Sequence, residues 1–250
     1  MFINMINAFY SAKSGSKNYQ TYLDAIGNNI ANVNTASFKA QNVSFTDLLY
    51  TNIEGPDGAE QNLQTGNGSR ILITRDMSQG TSINGSSGLD VMIKGDGFFA
   101  LQGEDGNISY SRISNFTISD IGGTKYLTNK NGDYVLNENL EKIEITSGEI
   151  AFIAPSEVNN NAITLGVFRF DNPEELVALS DGKFGISAGS TLTAKLDTES
   201  SLLMNMIESS NVDLASEMAK MIIAQRGFQV NAKMIQTVDE MEQYANNLRN

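Results

Sequence analysis

The chain has no cysteine, no histidine and no tryptophan among its 250 residues, and only 3 prolines. Without Cys and His, thiol chemistry, histidine-based acid–base catalysis and most transition-metal sites are excluded, so no metal or cofactor is expected. Disulfides are excluded as well, which suits a cytosolic protein or an exported one held by packing and oligomerisation. Positive charge is scarce: 17 Lys and Arg stand against 29 Asp and Glu, for a net charge of −12. The basic residues are scattered, which argues against nucleic acid or an anionic membrane as partner. No apolar run approaches bilayer-spanning length, and residues 1–10 lack the charged start and continuous apolar core of a secretory signal. What is present is a hydrophobic fraction of 40%, enough for a core in one large domain or two ordinary ones.

The strongest pattern lies at the two ends. Phe2, Met5, Phe9, Ala12, Ser16, Tyr19, Leu23, Ile26, Ile30 and Val33 follow an unbroken 3,4 alternation, all apolar except Ser16. That is the period of a helix that buries one seam. Met204, Ile207, Asn211, Leu214, Met218, Met221, Gln225, Phe228, Ala232 and Ile235 repeat it. Val238, Met241, Ala245 and Leu248 continue after a one-step slip. The spacing predicts a first helix to about Asn32 and a second from Asp213 to Leu248, the latter roughly 55 Å long at about 1.5 Å per residue. Ser210 and Asp213 are spaced as a capping pair, and Asn211 and Gln225 are candidates for register-setting polar residues, with capping an alternative for Asn211. Six of the ten methionines fall in the last fifth of the chain, as an ordinary helix core or an adaptable interface would have them. Gly227 in mid-helix costs about 1 kcal/mol relative to Ala, which close approach of another helix would justify.

Between the ends the period changes. After a short amphipathic piece over 38–50, containing Phe45, Leu48 and Leu49, residues 55–58 (Gly-Pro-Asp-Gly) read as a turn. From 69 to about 194 the chain shows strand-length segments at 70–74, 89–93, 98–101, 108–110, 116–118, 126–128, 134–136, 143–145 and 165–170. Turn residues separate them at hairpin spacing. The expected fold class is α+β, with terminal helices and a central, mostly antiparallel β domain.

Four constellations invite a chemical reading. Gly95-Asp96-Gly97-Phe98-Phe99-Ala100 has the letters of a dinucleotide loop, but the pyrophosphate needs a helix N-terminus there, and the following residues alternate like a strand. A tight turn built on Gly95, Gly97 and Phe98 is the better reading. Ser14-Gly15-Ser16-Lys17 spells a penicillin-binding nucleophile motif without its partner motifs. Asn129, Asn131 and Asp133 are spaced for calcium, yet no bidentate Glu follows where an EF-hand needs one, and a hairpin turn explains them. Asp171 with Glu174 and Glu175 reads as solvated surface in so acidic a chain.

Taken together, the segments resemble the axial proteins of the bacterial flagellum, the rod and hook family. The first match is Asn28-Asn29-Ile30-Ala31-Asn32-Val33-Asn34-Thr35 with Phe38-Lys39, where Ser37 replaces the family's usual glycine. The second is Gln79-Gly80, Leu89-Asp90, 93–99 and Tyr110-Ser111-Arg112. The third runs over 208–213 and then Glu217-Met218, Met221-Ile222, Gln225-Arg226, Phe228-Gln229, Asn231, Lys233, Thr237 and Asp239. Length suits a rod member. Gln225, Arg226, Phe228 and Asn231 are similar to the distal-rod type, and Lys233-Met234-Ile235 with Thr237 to the proximal one.

The resemblance implies a non-enzymatic building block that leaves through the flagellum's own type III export apparatus and stacks helically into a hollow axial drive shaft. Residues 1–34 with 208–250 are then a terminal helical assembly domain forming a coiled-coil-like layer, 35–68 a connector, and 69–207 a β-rich outer domain. The implied assembly interface comprises Phe9, Leu23, Ile26, Asn28, Asn29, Ile30, Asn32, Val33, Asn34, Thr35, Phe38, Asn211, Leu214, Met218, Met221, Gln225, Arg226, Phe228, Asn231 and Ile235. Implied partners are further copies of the chain, adjacent rod and hook proteins, the export apparatus and surrounding ring proteins. Competing readings are a hook or other hook-basal-body subunit, a trimeric adhesin stalk, which should show internal repeats, and a secreted carbohydrate-active enzyme, which the absence of Trp disfavours.

Overall fold

The structure, a computed structural model, describes residues 2–47, 50–53, 63–66, 69–145, 152–155, 163–187 and 189–247. The chain divides into two compact units, one of residues 1–31, 41–75 and 212–250, the other of residues 32–40 and 76–211.

In the first unit, helix α1 (Phe2–Ala31) and helix α2 (Leu214–Asn247) run antiparallel. Gly15 meets Asn231, Tyr19 meets Gly227 and Asn29 meets Glu217 along their length. α1 stops where Asn32 offers the backbone another partner: its carbonyl accepts from the Thr35 N–H at 3.0 Å and its side chain from the Thr35 hydroxyl at 3.1 Å. The unit also holds strands β1 (Gln41–Asp47), β2 (Tyr50–Ile53), β3 (Leu63–Gly66) and β4 (Ser69–Arg75). β1 pairs antiparallel with β4 from Gln41 opposite Arg75 to Asp47 opposite Ser69, and β2 with β3 from Tyr50 opposite Gly66 to Ile53 opposite Leu63. Phe45 of β1 packs against the Tyr19 and Tyr22 rings of α1, at centroid separations of 5.5 and 5.7 Å.

The second unit is β-rich: β5 (Ser82–Asn84), β6 (Val91–Lys94), β7 (Phe98–Gln102), β8 (Ile108–Ser111), β9 (Phe116–Ile121), β10 (Thr124–Asn129), β11 (Tyr134–Val135), β12 (Phe152–Ile153), β13 (Ile163–Thr164), β14 (Val167–Arg169), β15 (Val177–Ala178), β16 (Lys183–Gly185), β17 (Lys195–Leu196), β18 (Ser201–Met204) and β19 (Met206–Glu208). The main sheet has the order β15-β16-β8-β7-β11-β10-β9, with β14 also on β7 and β17 on β14. Its pairings are antiparallel; β12 with β13 is parallel. β7 explains its own unbroken apolar run. Phe98 and Ala100 enter a core with Tyr110, Phe168, Phe170 and Phe184, while Phe99 and Leu101 point the other way into a core with Phe116, Leu127, Val135 and Val167. Successive side chains alternate in direction, so a strand covered on both faces is apolar at every position.

The structure corrects several expectations. Residues 35–68, expected as a connector, contribute β1, β2 and β3 among their described part. Met204 and Ile207, at helical spacing in the sequence, lie instead in β18 and β19, which pair with β6 and β5. Short apolar runs fit either period, and strands β6 and β5 supply the backbone partners that select the extended one. Helix α2 begins after Asp213, whose carboxylate accepts from the Ala215 N–H at 3.1 Å while its carbonyl accepts from Glu217 N–H at 3.0 Å. Asn211 is therefore neither a seam residue nor the cap. Leu48, Leu49, the 55–58 turn, Leu248 and the side chains of Phe2, Met5 and Ala245 lie outside the described residues.

Candidate assembly surface

The α1–α2 contacts pair Gly15 with Asn231, Tyr19 with Gly227 and Asn29 with Glu217. Ala12, Asn18, Ala25, Ile26 and Asn29 are buried on α1, and Glu217 and Ala224 on α2, with Met221, Gly227, Asn231, Ile235 and Val238 half-buried. A Cβ at Gly227 would stand 2.4 Å from the Tyr19 ring, so glycine there permits the close approach of the two helices. The buried side of α2 thus shares Met221, Ala232, Ile235 and Val238 with the expected seam, whereas Leu214, Met218, Gln225 and Phe228 of that seam are exposed.

The large apolar side chains of α2 consequently lie outside the pair, in two stripes. Leu214 (38% exposed), Met218 (50%) and Phe228 form one, and Ile223 (65%), Val230 (64%), Met234 and Met241 the other. At 3.6 residues per turn these lie roughly 100° to either side of the buried line. Exposed Ile, Val, Leu, Met and Phe spread over about seven turns of one helix exceed the single scattered apolar residues normal at a surface. Of the remaining expected interface residues, Phe9, Asn28 and Arg226 are exposed, and Leu23 and Ile30 half-buried.

The other motif residues have partners inside their own unit. In the first unit, Asn29 donates to the Gln41 carbonyl at 2.9 Å and to Glu217 Oε2 at 3.0 Å, and accepts from the Gln41 N–H at 2.8 Å. In the second, the 32–40 segment carries Asn32, Val33 and Phe38 half-buried and Asn34 and Thr35 exposed. Lys39 is fully buried, with its ammonium 2.6 Å from Glu208 Oε1 and 2.6 Å from the Ser78 carbonyl. Glu208 Oε1 also accepts from the Gly80 N–H at 2.8 Å, and its Oε2 faces Arg112 at 3.6 Å. Arg112 donates to the Gly95 carbonyl at 2.9 Å and stacks over the Phe98 ring at 4.9 Å. Burial, and then the like charge of Arg112, push the Lys39 ammonium below its ordinary value against the pull of Glu208; burial likewise lowers Arg112. Such a buried cluster adds little net stability, but removing one member strands the others, so it specifies which segments meet.

The glycine turn is packed from both sides. Gly95 has φ +140, and a Cβ on it would meet the Ser200 hydroxyl at 2.2 Å; one on Gly97 would meet the Val167 side chain at 2.3 Å. Strand β7 follows, so the loop has no helix N-terminus to offer a pyrophosphate. In the 129–133 turn Asp133 is taken by Lys183 at 2.8 Å and by the Asn129 amide at 2.8 Å. Exposed Asp171 pairs with Lys195. Among the described residues no cluster of metal-ligating side chains occurs, and no helix is long and apolar enough to cross a membrane.

A β unit carried on a chain whose two ends pair as helices, with further apolar helix surface left uncovered, defines an assembly subunit. Residues 9–39 match the family described as "Flagella basal body rod protein", and residues 205–248 the C-terminal domain of "Flagellar basal body rod FlgEFG protein". The chain is 34% identical to flagellar basal-body rod protein FlgG of Bacillus subtilis, across 98% of this chain and 100% of that one. It is 35% identical to FlgG of Borreliella burgdorferi over 98% and 99%, and 32% to FlgG of Caulobacter vibrioides over 98% and 100%. The hook protein FlgE of B. burgdorferi is 35% identical over half of this chain and 29% of its own length. The chain belongs to the flagellar basal-body rod protein family.

Proposed function

We propose that this chain is a structural, non-catalytic subunit of the flagellar rod, most similar to its distal-rod type, that polymerises helically with copies of itself into a hollow axial shaft. The observation that carries this is the pair of apolar stripes on α2. One partner helix covers one face, and α1 already takes it. Two further stripes on opposite flanks call for two further neighbours, and contacts of that kind repeat from copy to copy without closing in a dimer, as an open helical filament requires. The terminal helices then form a coiled-coil-like layer, in which methionines at 218, 234 and 241 adapt to inequivalent neighbours. The same reading includes export by the flagellar apparatus and contacts with adjacent rod and hook proteins and with surrounding rings, and the likeness to rod and hook proteins supports it. The match to a hook protein covers only half of the chain, so the rod reading is preferred.

The test is electron microscopy of the full-length chain at high concentration, beside Met218→Asp and Val230→Asp. Tubes are expected from the native chain and from neither variant, with helical content by circular dichroism unchanged. Tubes from both variants would refute the role of the stripes, and a native chain that stays monomeric would refute unassisted polymerisation.

A further inference from the structure

Two asparagines with matching chemistry hold consecutive residues of the chain. In the second unit, Asn211 Oδ1 accepts from the Ala40 N–H at 2.7 Å, and its Nδ2 donates to the Asp76 carbonyl at 2.9 Å and to the Ser78 carbonyl at 3.2 Å. The circuit closes through the backbone, with the Asp76 N–H donating to the Ala40 carbonyl at 2.8 Å and the Asn211 N–H to the Phe38 carbonyl at 3.3 Å. In the first unit, Asn29 brackets the next residue, Gln41, at both its N–H and its carbonyl, and spends its remaining donor on Glu217. Each side chain therefore accepts on one atom and donates on the other. A carboxamide does both at once at neutral pH, whereas a carboxylate of the same shape only accepts.

We infer that Asn29 and Asn211 are positioning residues, each within its own unit: Asn29, from the N-terminal helix, fixes Gln41 at both its N–H and its carbonyl, and Asn211, from the segment before α2, fixes Ala40 against the 76–78 segment. They do this through their own chain, so the inference does not rest on the assembly reading. It also changes the role of two motif residues, from contacts offered to a neighbour to bonds that shape the subunit offering them. Each clasp serves its own backbone N–H, so the two can be told apart.

The experiment is residue-resolved amide hydrogen exchange on the full chain, comparing the native protein with Asn211→Asp, Asn29→Asp and the exposed control Asn28→Asp. Asn211→Ala is included as a second variant that removes the bonds without adding charge. Both Asn211 variants are expected to speed exchange at the Ala40 N–H by roughly tenfold, the alanine by removing its acceptor and the aspartate by setting a carboxylate that cannot donate against the Asp76 and Ser78 carbonyls; Asn29→Asp does the same at the Gln41 N–H by facing the Gln41 carbonyl and Glu217. The Leu127 N–H, bonded to the Ile143 carbonyl in the β core, should keep its native rate in all variants. A general loss of stability would move Leu127 as well, so a uniform rise would overturn the inference, as would unchanged exchange at Ala40 and Gln41. Acceleration in Asn28→Asp equal to that in Asn29→Asp would overturn it too.

Discussion

Ser37 shows what one substitution in a motif asks of its surroundings. It holds φ 56, the left-handed region that glycine enters freely, and it is buried. Its N–H donates to the Glu208 carbonyl at 2.8 Å and its hydroxyl to the Arg112 carbonyl at 2.8 Å, so the side chain offsets the backbone strain with a bond that glycine lacks. Ser37→Ala keeps the strain and deletes the bond, and should cost about 1–2 kcal/mol in denaturant unfolding of the β unit. Ser37→Gly relieves about 1 kcal/mol of strain and loses about as much hydrogen bonding, leaving stability within about 1 kcal/mol of native. An alanine variant as stable as the serine would contradict this account. The motif letters around Ser37 were legible in the sequence, but the buried Lys39–Glu208–Arg112 cluster was not. Lys39 and Glu208 are 169 residues apart, and nothing local distinguishes them from solvated surface charges.

At the scale of elements, both helices and most central strands were readable from period alone, because each buries a face and repeats its own geometry in the residue pattern. The line along which α1 and α2 meet was not. A heptad reading follows apolar residues alone, whereas here the pair meets through Gly15 with Asn231, Tyr19 with Gly227 and Asn29 with Glu217, and Met218, Phe228, Ile223 and Val230 remain exposed. Two glycines test this. Gly27 has open space where a Cβ would go, so Gly27→Ala should raise helix stability by about 0.5–1 kcal/mol. Gly227→Ala gains the same propensity but drives a methyl into Tyr19, and should lower stability by about 1–3 kcal/mol. Thermal unfolding followed by circular dichroism reads both, and a Gly227→Ala chain more stable than native would show that the helices are not closely apposed there.

For the whole molecule, the two compact units are each assembled from distant parts of the chain, so neither terminus is an independent appendage. α1 has 30 residues but its buried face is largely small and polar, and it depends on α2 for cover. Removing residues 212–250 keeps Asn211 and the whole β unit while taking away that partner. The expected result is a folded β unit whose loss of helical signal corresponds to both helices, the 34 residues of α2 and the 30 of α1. Circular dichroism that shows only the α2 share missing would mean that α1 stands without its partner.

Composition and period alone determined that this protein has no thiol or histidine chemistry, that its ends are helices and its middle is β, and that its surface is acidic. These properties are local or summed along the chain, so they survive without coordinates. Tertiary structure decided which face of each helix is spent inside its unit and which is left exposed. It also decided that Met204 and Ile207 lie in strands, and that motif asparagines bind their own backbone. Each of those outcomes is a choice between partners far apart in sequence, where hydrogen-bond satisfaction and steric fit, not periodicity, select the answer.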